Sequence, residues 1–450
     1  MATTRLSRTP SSTGNRKTWT FSAWIKRTGK ISGTNTQNIL HAGSYSIIRF
    51  ENENLEYLDY DGSSTTLKNT SAKLRDINGW YHIVVAADFT QASADNRVKF
   101  YINGEQVTSF GTNNVKGQNY DTQFNLSGTS MNIGADSSNG SPFDGLMSHI
   151  HFTDGTAYDA SAFGETDSTT GIWTIKTSPS VTYGTNGFFI LKNGNSVTDQ
   201  SGQSNNFTVA NGTLTSLKDC PDNVFATWSP LHSTTQSISN VVFKNNNTTF
   251  DNNETTNAVY PQVYSTLAAS SGKYYLESKL IASNGNTASY IGISGAVTTE
   301  AYIAENAYTY AYRENGTVRN NDVNGNTYTS YGVNDIIQIA VDLDNNKLYF
   351  GINGTWVNSG DPTSGATGTG AVFTITAPSS TPHGVYHFTI GDTSSPGTFE
   401  HATNFGNGYF GTTAVTSAQN PDDGNGIFEY DVPAGYRALC TKSLNAEEYS

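Results

Sequence analysis

Short runs in which large apolar residues alternate with small or polar ones recur along the chain, separated by clusters of Gly, Asn, Asp, Ser and Thr. A period of two predicts half-buried strands, and helical spacing is hard to find anywhere. Thr18-Trp19-Thr20-Phe21-Ser22-Ala23-Trp24-Ile25 alternates in this way, and WYHIVVA (80–86) reads as a more deeply buried strand. RVKFYI (97–102) runs into Asn103-Gly104 and returns as Glu105-Gln106-Val107. Asn-Gly between β-runs predicts a tight hairpin, because both residues tolerate positive φ. Residues 143–152 supply a further strand. Farther on, DIIQIAV (335–341), the turn Asp344-Asn345-Asn346, KLYFGI (347–352), Asn353-Gly354 and Thr355-Trp356-Val357 repeat the strand, Asn-Gly turn and return strand.

These patterns predict an all-β chain of two tandem β-sandwich, jelly-roll lobes joined by a partly ordered connector. The expected divisions are an N-terminal arm over 1–17, a first lobe over 18–160, a connector with short strands over 161–235, a second lobe over 236–412 and a C-terminal segment over 413–450. The connector is rich in Ser, Thr, Asn and Gly, yet holds aromatic islands at Trp173, Phe188-Phe189 and Phe207. A disordered linker needs no such islands, so it is expected to pack against one lobe.

Composition narrows the partners. Charged residues are 14% of the chain and the formal net charge is −13, with no cluster of Lys and Arg. Phosphate backbones and anionic membrane surfaces are therefore disfavoured. No apolar run approaches the length of a membrane span, and the polar start Met1-Ala2-Thr3-Thr4-Arg5 lacks the core of a signal peptide, so neither insertion nor secretory export is expected. Cys220 and Cys440 can form neither a disulfide framework nor a multi-Cys zinc site. Two reduced thiols, or one long-range bridge, remain as readings.

Two resemblances rest on particular residues. TWTFSAWIKR (18–27), WYHIVVAAD (80–88), RVKFYINGEQV (97–107), MNIGA (131–135) and FDGLMSHIHF (143–152) resemble the concanavalin A-like, laminin-G-type jelly rolls, in that family's order. GKYYLE (272–277), YIGIS (290–294), YAYRENG (310–316), YGVNDIIQIAVDLDNNKLYFGINGTW (331–356) and GVYHFTIG (384–391) resemble the SPRY sandwich. Asn334 stands where that family usually has Gly, and Leu276 where it usually has an aromatic residue. The whole arrangement, with FGETDSTTGIW (163–173), DQSGQSNNFT (199–208) and VPAGYRALCTKSL (432–444), resembles virion-associated proteins of tailed bacteriophages, especially marine ones. That resemblance implies a tail fibre, adhesin or capsid-decoration protein and no particular ligand.

Candidate chemistry is sparse. Glu56 and Asp59 are the nearest approach to the carboxylate set of a concanavalin A-like glucanase, but three residues apart on a strand they face opposite sides. There is no Gly-x-Ser-x-Gly elbow and no Gly-x-x-x-x-Gly-Lys loop. His149 and His151 should share one strand face, either as a solvated face or as part of a zinc site that needs a third ligand. No cofactor is called for, except that Asp136, Asn139 and Asp144 offer oxygen ligands to Ca²⁺. Aromatic residues among polar ones suit a ligand-binding surface, and Tyr57, Tyr60, Tyr308, Tyr310, Tyr312, Arg313, Asn315 and Trp356 are the candidates. Alternate tyrosines also suit a core, and both readings stay open at this point.

The expectation is a non-enzymatic virion-surface protein, assembled in the host bacterial cytoplasm, that binds host-surface glycan. Its partners would be other phage structural proteins and further copies of itself, a trimer in the case of a fibre, without nucleic acid or membrane insertion. Multivalency would tighten weak single sites. A capsid-decoration or tail-assembly role is the alternative, and a glycan-degrading enzyme a third reading.

Overall fold

The computed structural model describes residues 3–28, 36–60, 62, 65–192, 194, 196–233, 240–255, 260–286, 288–297, 302–392 and 397–448. The chain divides into two compact units, one of residues 1–216 with 220–222 and the other of 217–219 with 223–450. Both are all-β sandwiches.

In the first unit, an eight-stranded antiparallel sheet runs in the spatial order Phe110–Asn114, Thr65–Thr70, Asn54–Tyr60, Ser46–Glu51, Thr36–Ala42, Met131–Ile133, Arg5–Arg8, Thr208–Asn211. It faces a six-stranded sheet ordered Phe188–Ile190, Gly145–Asp154, Thr18–Arg27, Tyr81–Asp88, Val98–Ile102, Glu105–Gln106. The alternation of Thr18–Arg27 turns Trp19, Phe21, Ala23 and Ile25 inward, where they meet Leu40, Ile48, Phe50, Leu55 and Tyr57. Burying each large side chain of this kind contributes about 1.5–3 kcal/mol. The Asn103-Gly104 hairpin forms as expected, with both residues at positive φ.

Residues 1–17, expected as an arm, contain Arg5–Arg8, a strand in the interior of the eight-stranded sheet. Residues 161–216 belong to the first unit and complete both of its sheets. Phe188–Ile190 pairs with Gly145–Asp154, and Thr208–Asn211 pairs with Arg5–Arg8. Ahead of them in the chain, the hairpin of Gly164–Thr166 and Trp173–Ile175 brings Trp173 beside Phe163, Val84 and Tyr101 on the outer face of the six-stranded sheet. Gly104 and Gly164 admit the indole, since a Cβ at either would lie 2.6 Å or 2.5 Å from it. Buried carboxylates tie the rest down. Asp154 accepts the backbone N–H groups of Asn15 (2.6 Å) and Asn186 (2.9 Å), and Asp199 those of Phe189, Ser201 and Asn205.

The second unit packs a seven-stranded sheet, ordered Trp228–Ser233, Gln262–Ser265, His387–Asp392, Ser289–Ser294, Thr309–Arg313, Thr317–Asn320, Val323–Thr327, against a nine-stranded one. The centre of the latter is Phe399–Asn404, Lys273–Ser283, Ile336–Asp342 and Lys347–Ile352. The expected division at 235/236 lies outside the described residues, but Trp228–Ser233 is already a strand of this sandwich. The core joins Leu276, Ile337, Ile339 and Phe350 to Ile291, Ile293, Tyr312, Phe388 and Ile390. The C-terminal segment covers the outer face of the larger sheet, where Phe428, Tyr436, Ala438 and Cys440 pack on Tyr275, Ala340 and Tyr349. Glu277 accepts the N–H groups of Glu429 and Tyr430 (each 2.8 Å) and the Tyr275 hydroxyl (2.9 Å). Burial pushes its carboxyl up to about 7. The one α-helix among the described residues, Thr441–Glu448, was not expected; only Ser443 is buried on it, so it carries almost no apolar period. Cys220 and Cys440 are not joined in a disulfide.

Candidate functional site

The candidate aromatic residues divide by face. Tyr57, Tyr310 and Tyr312 are core and are corrected here as contact residues. Tyr57 is fully buried and donates to Asp59 Oδ2 (2.8 Å). Tyr312 packs on Phe350 with its hydroxyl on the Thr329 carbonyl (2.6 Å), and Tyr310 packs on Phe373. Each has its polar tip satisfied inside, which is how a buried tyrosine avoids an unpaired hydroxyl.

Four other candidates in the second unit do not converge. Arg313 lies over the Tyr290 ring (5.3 Å) on the outer face of the seven-stranded sheet, whereas Trp356 packs edge-on against Tyr275 on the outer face of the nine-stranded sheet. Tyr308 is half-buried, and Asn315 is exposed with its amide oxygen accepting from Thr317 N in a turn (3.0 Å). A single rim surface of Tyr308, Arg313, Asn315 and Trp356 is therefore not formed.

The proposed calcium ligands do not fit the ion. Asp136 Oδ1 accepts Ser138 N (2.8 Å) and Gly140 N (2.7 Å) in its own turn. The Asn139 amide oxygen accepts from the Arg5 guanidinium (2.8 Å), which places a positive charge where a cation would sit. Asp144 accepts from Thr28 Oγ1 (3.1 Å), and burial raises its carboxyl. Among the described residues no group of three or more His, Cys, Asp or Glu side chains is placed to hold a metal.

His149 and His151 correct a second expectation. The register of Gly145–Asp154 against Thr18–Arg27 shifts between Ser148 and His151, and His149 has φ +47. This bulge breaks the period of two. His151 is buried, stacked on Phe189 at 3.9 Å with Nδ1 2.9 Å from the Tyr183 hydroxyl. Burial lowers His149 to about 4 and His151 well below the ordinary histidine range. Neither forms a solvated face.

Sequence reasoning did not single out three other buried imidazoles, His41, His82 and His401. His82 accepts from Trp173 Nε1 at Nδ1 (3.0 Å), which leaves Nε2–H to donate to Ser22 Oγ (2.9 Å). His401 lies between Ser278 and Ser289. Burial holds His82 and His401 near 3, so each is a neutral structural ring rather than an acid–base group.

Glu56 and Asp59 do lie on opposite faces of their strand. Glu56 is held by Arg49 (2.7 Å) on the outer face, and Asp59 by Ser46, Tyr57 and Tyr120 on the inner face. Burial raises both carboxyls. They cannot flank one scissile bond.

Of the two aromatic candidates in the first unit only Tyr60 reaches the surface, and it is joined by a residue the sequence reading missed. Tyr45, 43% exposed, meets Tyr60 edge-to-face at 4.6 Å. The signal was present in Gly43-Ser44-Tyr45, a turn with an aromatic residue at its exposed end.

Residues 3–160 match a family model described as Concanavalin A-like lectin/glucanases superfamily, of the laminin-G type. No curated protein matches the chain. Among solved structures, the SPRY domain of human HERC1 is similar over 39% of this chain and 96% of that one, at 14% identity and a TM-score of 0.29. A human SPRY domain is similar over 37% and 94%, at 14% identity and 0.27. A heptameric SAP-like pentraxin from Limulus polyphemus is similar over 35% and 72%, at 16% identity and 0.27. At these TM-scores the likenesses add nothing to what the sheets themselves establish. The first sandwich is concanavalin A-like, a fold often used to bind carbohydrate or protein.

Proposed function

We propose that the chain is a non-enzymatic structural protein of a tailed-bacteriophage virion that attaches to host-surface glycan, as a tail fibre or adhesin. The observation that carries the binding role is the match of residues 3–160 to a family whose description names lectins. The separation of Glu56 from Asp59 onto opposite faces supports binding without glycosidic cleavage. The stretches resembling virion-associated proteins support the particle assignment, and repetition on a virion would turn weak single sites into tight attachment.

The test is binding of the purified chain to host cells, with and without Ca²⁺. Saturable binding indifferent to Ca²⁺ is expected, and no binding at high chain concentration sinks the attachment role. A second reading, capsid decoration or tail assembly, is favoured by one observation. The edge strands Thr208–Asn211 (TVAN) and Val323–Thr327 (VNGNT) carry no charge, and Val209 and Val323 are exposed. Such edges suit strand pairing with another protein. Cryo-EM of the particle separates the two: a distal position fits attachment, and burial between shell subunits fits assembly.

A further inference from the structure

The outer face of the eight-stranded sheet in the first unit reverses the usual pattern. An antiparallel strand with one face in the core should be polar on the other. In Asn54–Tyr60 the inward positions are Leu55, Tyr57 and Asp59, and the outward ones are Glu56, Leu58 and Tyr60. On the neighbouring strand Ser46–Glu51, Ile48 and Phe50 point inward while Ile47 and Arg49 point outward. Register places Ile47 opposite Leu58 and Leu58 opposite Leu67, which makes an apolar row across three strands. None of these three joins a core cluster of the unit.

Two different sets of groups flank that row. On one side stand the edge-to-face rings of Tyr45 and Tyr60, with the Tyr60 hydroxyl fixed on the Gly62 carbonyl (2.8 Å). On the other, register aligns Arg49, Glu56 and Asn69. Arg49 binds Glu56 through Nε (2.8 Å) and Nη2 (2.7 Å), and also reaches Glu51 (3.3 Å). Asn69 Nδ2 reaches Glu56 Oε2 (3.5 Å) while its own oxygen accepts from Thr112 N (2.7 Å). Four residues of strand separate Glu56 from Tyr60, about 13 Å.

We propose that this face is a glycan platform, with Tyr45 and Tyr60 stacking on the sugar rings and the half-buried Arg49 and Asn69 receiving their hydroxyl groups, while the buried Glu56 holds the Arg49 guanidinium in place. A pyranose carries an apolar C–H face and a hydroxyl-bearing rim in one ring, which is the pairing the platform offers at short spacing. The polar row is tied in place before any ligand arrives, so little side-chain freedom is lost on binding. Arg49 is outnumbered by Glu51 and Glu56, so the local charge suits a neutral glycan better than a sulfated or phosphorylated one. The strip is a single row without a deep pocket, unlike the desolvated centre of a protein–protein hot spot. The proposal rests on the attachment reading given above and assigns it a place.

The test uses the full-length chain against immobilised neutral polysaccharides (laminarin, dextran, mannan) and anionic ones (alginate, dextran sulfate). Expected is saturable binding to a neutral member, weakened about tenfold or more in Tyr45→Ala/Tyr60→Ala and kept within about twofold in Tyr45→Phe/Tyr60→Phe. Unchanged melting temperatures in both double variants would exclude a folding defect. The proposal is overturned if no neutral polysaccharide binds, if anionic ones bind better, or if the alanine pair binds as the wild type does. It is overturned too if that pair alters self-association and leaves polysaccharide binding intact. Whole-cell binding separates its failure from that of the broader reading. If wild type and alanine pair bind cells equally, the platform fails and attachment stands; if wild type binds no cells, attachment fails.

Discussion

Residues 161–216 in the first unit and 419–440 in the second are both polar, loop-rich segments held onto a sandwich by buried carboxylates. Asp154 and Asp199 gather backbone N–H groups in the first, and Glu277 gathers those of Glu429 and Tyr430 in the second. Asp154 and Asp199 keep 8% and 9% exposure, whereas Glu277 has none. Full desolvation moves Glu277 up to about 7 in spite of its hydrogen bonds. Glu277 therefore gives the anchor of the second unit a pH dependence. The histidines widen the contrast. The first unit holds four imidazoles lowered chiefly by burial, His41, His82, His149 and His151, and in the second His401 is lowered in the same way.

The largest expected effect of this difference is on acid stability. A histidine lowered in the native state contributes stability that is present above about pH 6.5 and lost as pH falls toward its native value. A carboxyl raised to about 7 acts oppositely: its contribution is full below about pH 4.5 and lost as pH rises to about 7. As pH falls from about 6.5 to 4.5, the lowered imidazoles of His82 and His151 weaken the first unit, opposed in part by the raised carboxyls of Glu56, Asp59 and Asp144. In the second unit the lowered His401 is opposed by the raised carboxyls of Glu277 and Glu314. Calorimetry of the whole chain should show one transition falling on acidification while the other holds, and equal movement of both would remove the contrast.

Next in size are the anchors themselves. Asp154→Ala leaves N–H groups of Asn15 and Asn186 unpaired and should cost about 2–4 kcal/mol in the first transition only. Glu277→Ala should cost a similar amount in the second at pH 5 and less at pH 8, where the wild-type carboxylate is already ionised against its surroundings. Glu277→Gln should steepen the second transition's fall on acidification, because His401 is then less opposed. A pH-independent Glu277→Ala effect would contradict the shift. Trp173→Ala strips His82 of its donor and opens space beside Gly104 and Gly164, an expected loss of about 2–3 kcal/mol that also identifies the first transition. Smallest is Tyr45→Ala, an exposed turn residue outside any core cluster, which should change the melting free energy by less than about 0.5 kcal/mol.

Much of the fold was legible because its signals are local. The Asn103-Gly104 and Asn353-Gly354 turns sit between the paired strands the alternation predicted. The strand Arg5–Arg8 was not legible: RLSR holds one apolar residue, Leu6, and becomes a strand because Met131–Ile133 and Thr208–Asn211 bracket it from far along the chain. The burial of His151 escaped for a similar reason, since nothing in SHIH announces that Phe163, Tyr183 and Phe189 from farther along the chain close over it.

Alternation by itself determined that this chain makes strands, where its tight turns fall, and which residues of a strand share a face. It could not determine which face is the core. Tyr57 and Tyr60 are alike in type and neighbourhood, yet one is buried against Trp19 while the other meets Tyr45 at the surface. The same holds for Leu55 and Leu58. Period two is fixed by the geometry of a single strand, whereas burial depends on which distant sheet closes over it. Only the tertiary structure could therefore separate the residues that hold the sandwich from those left free to meet a ligand.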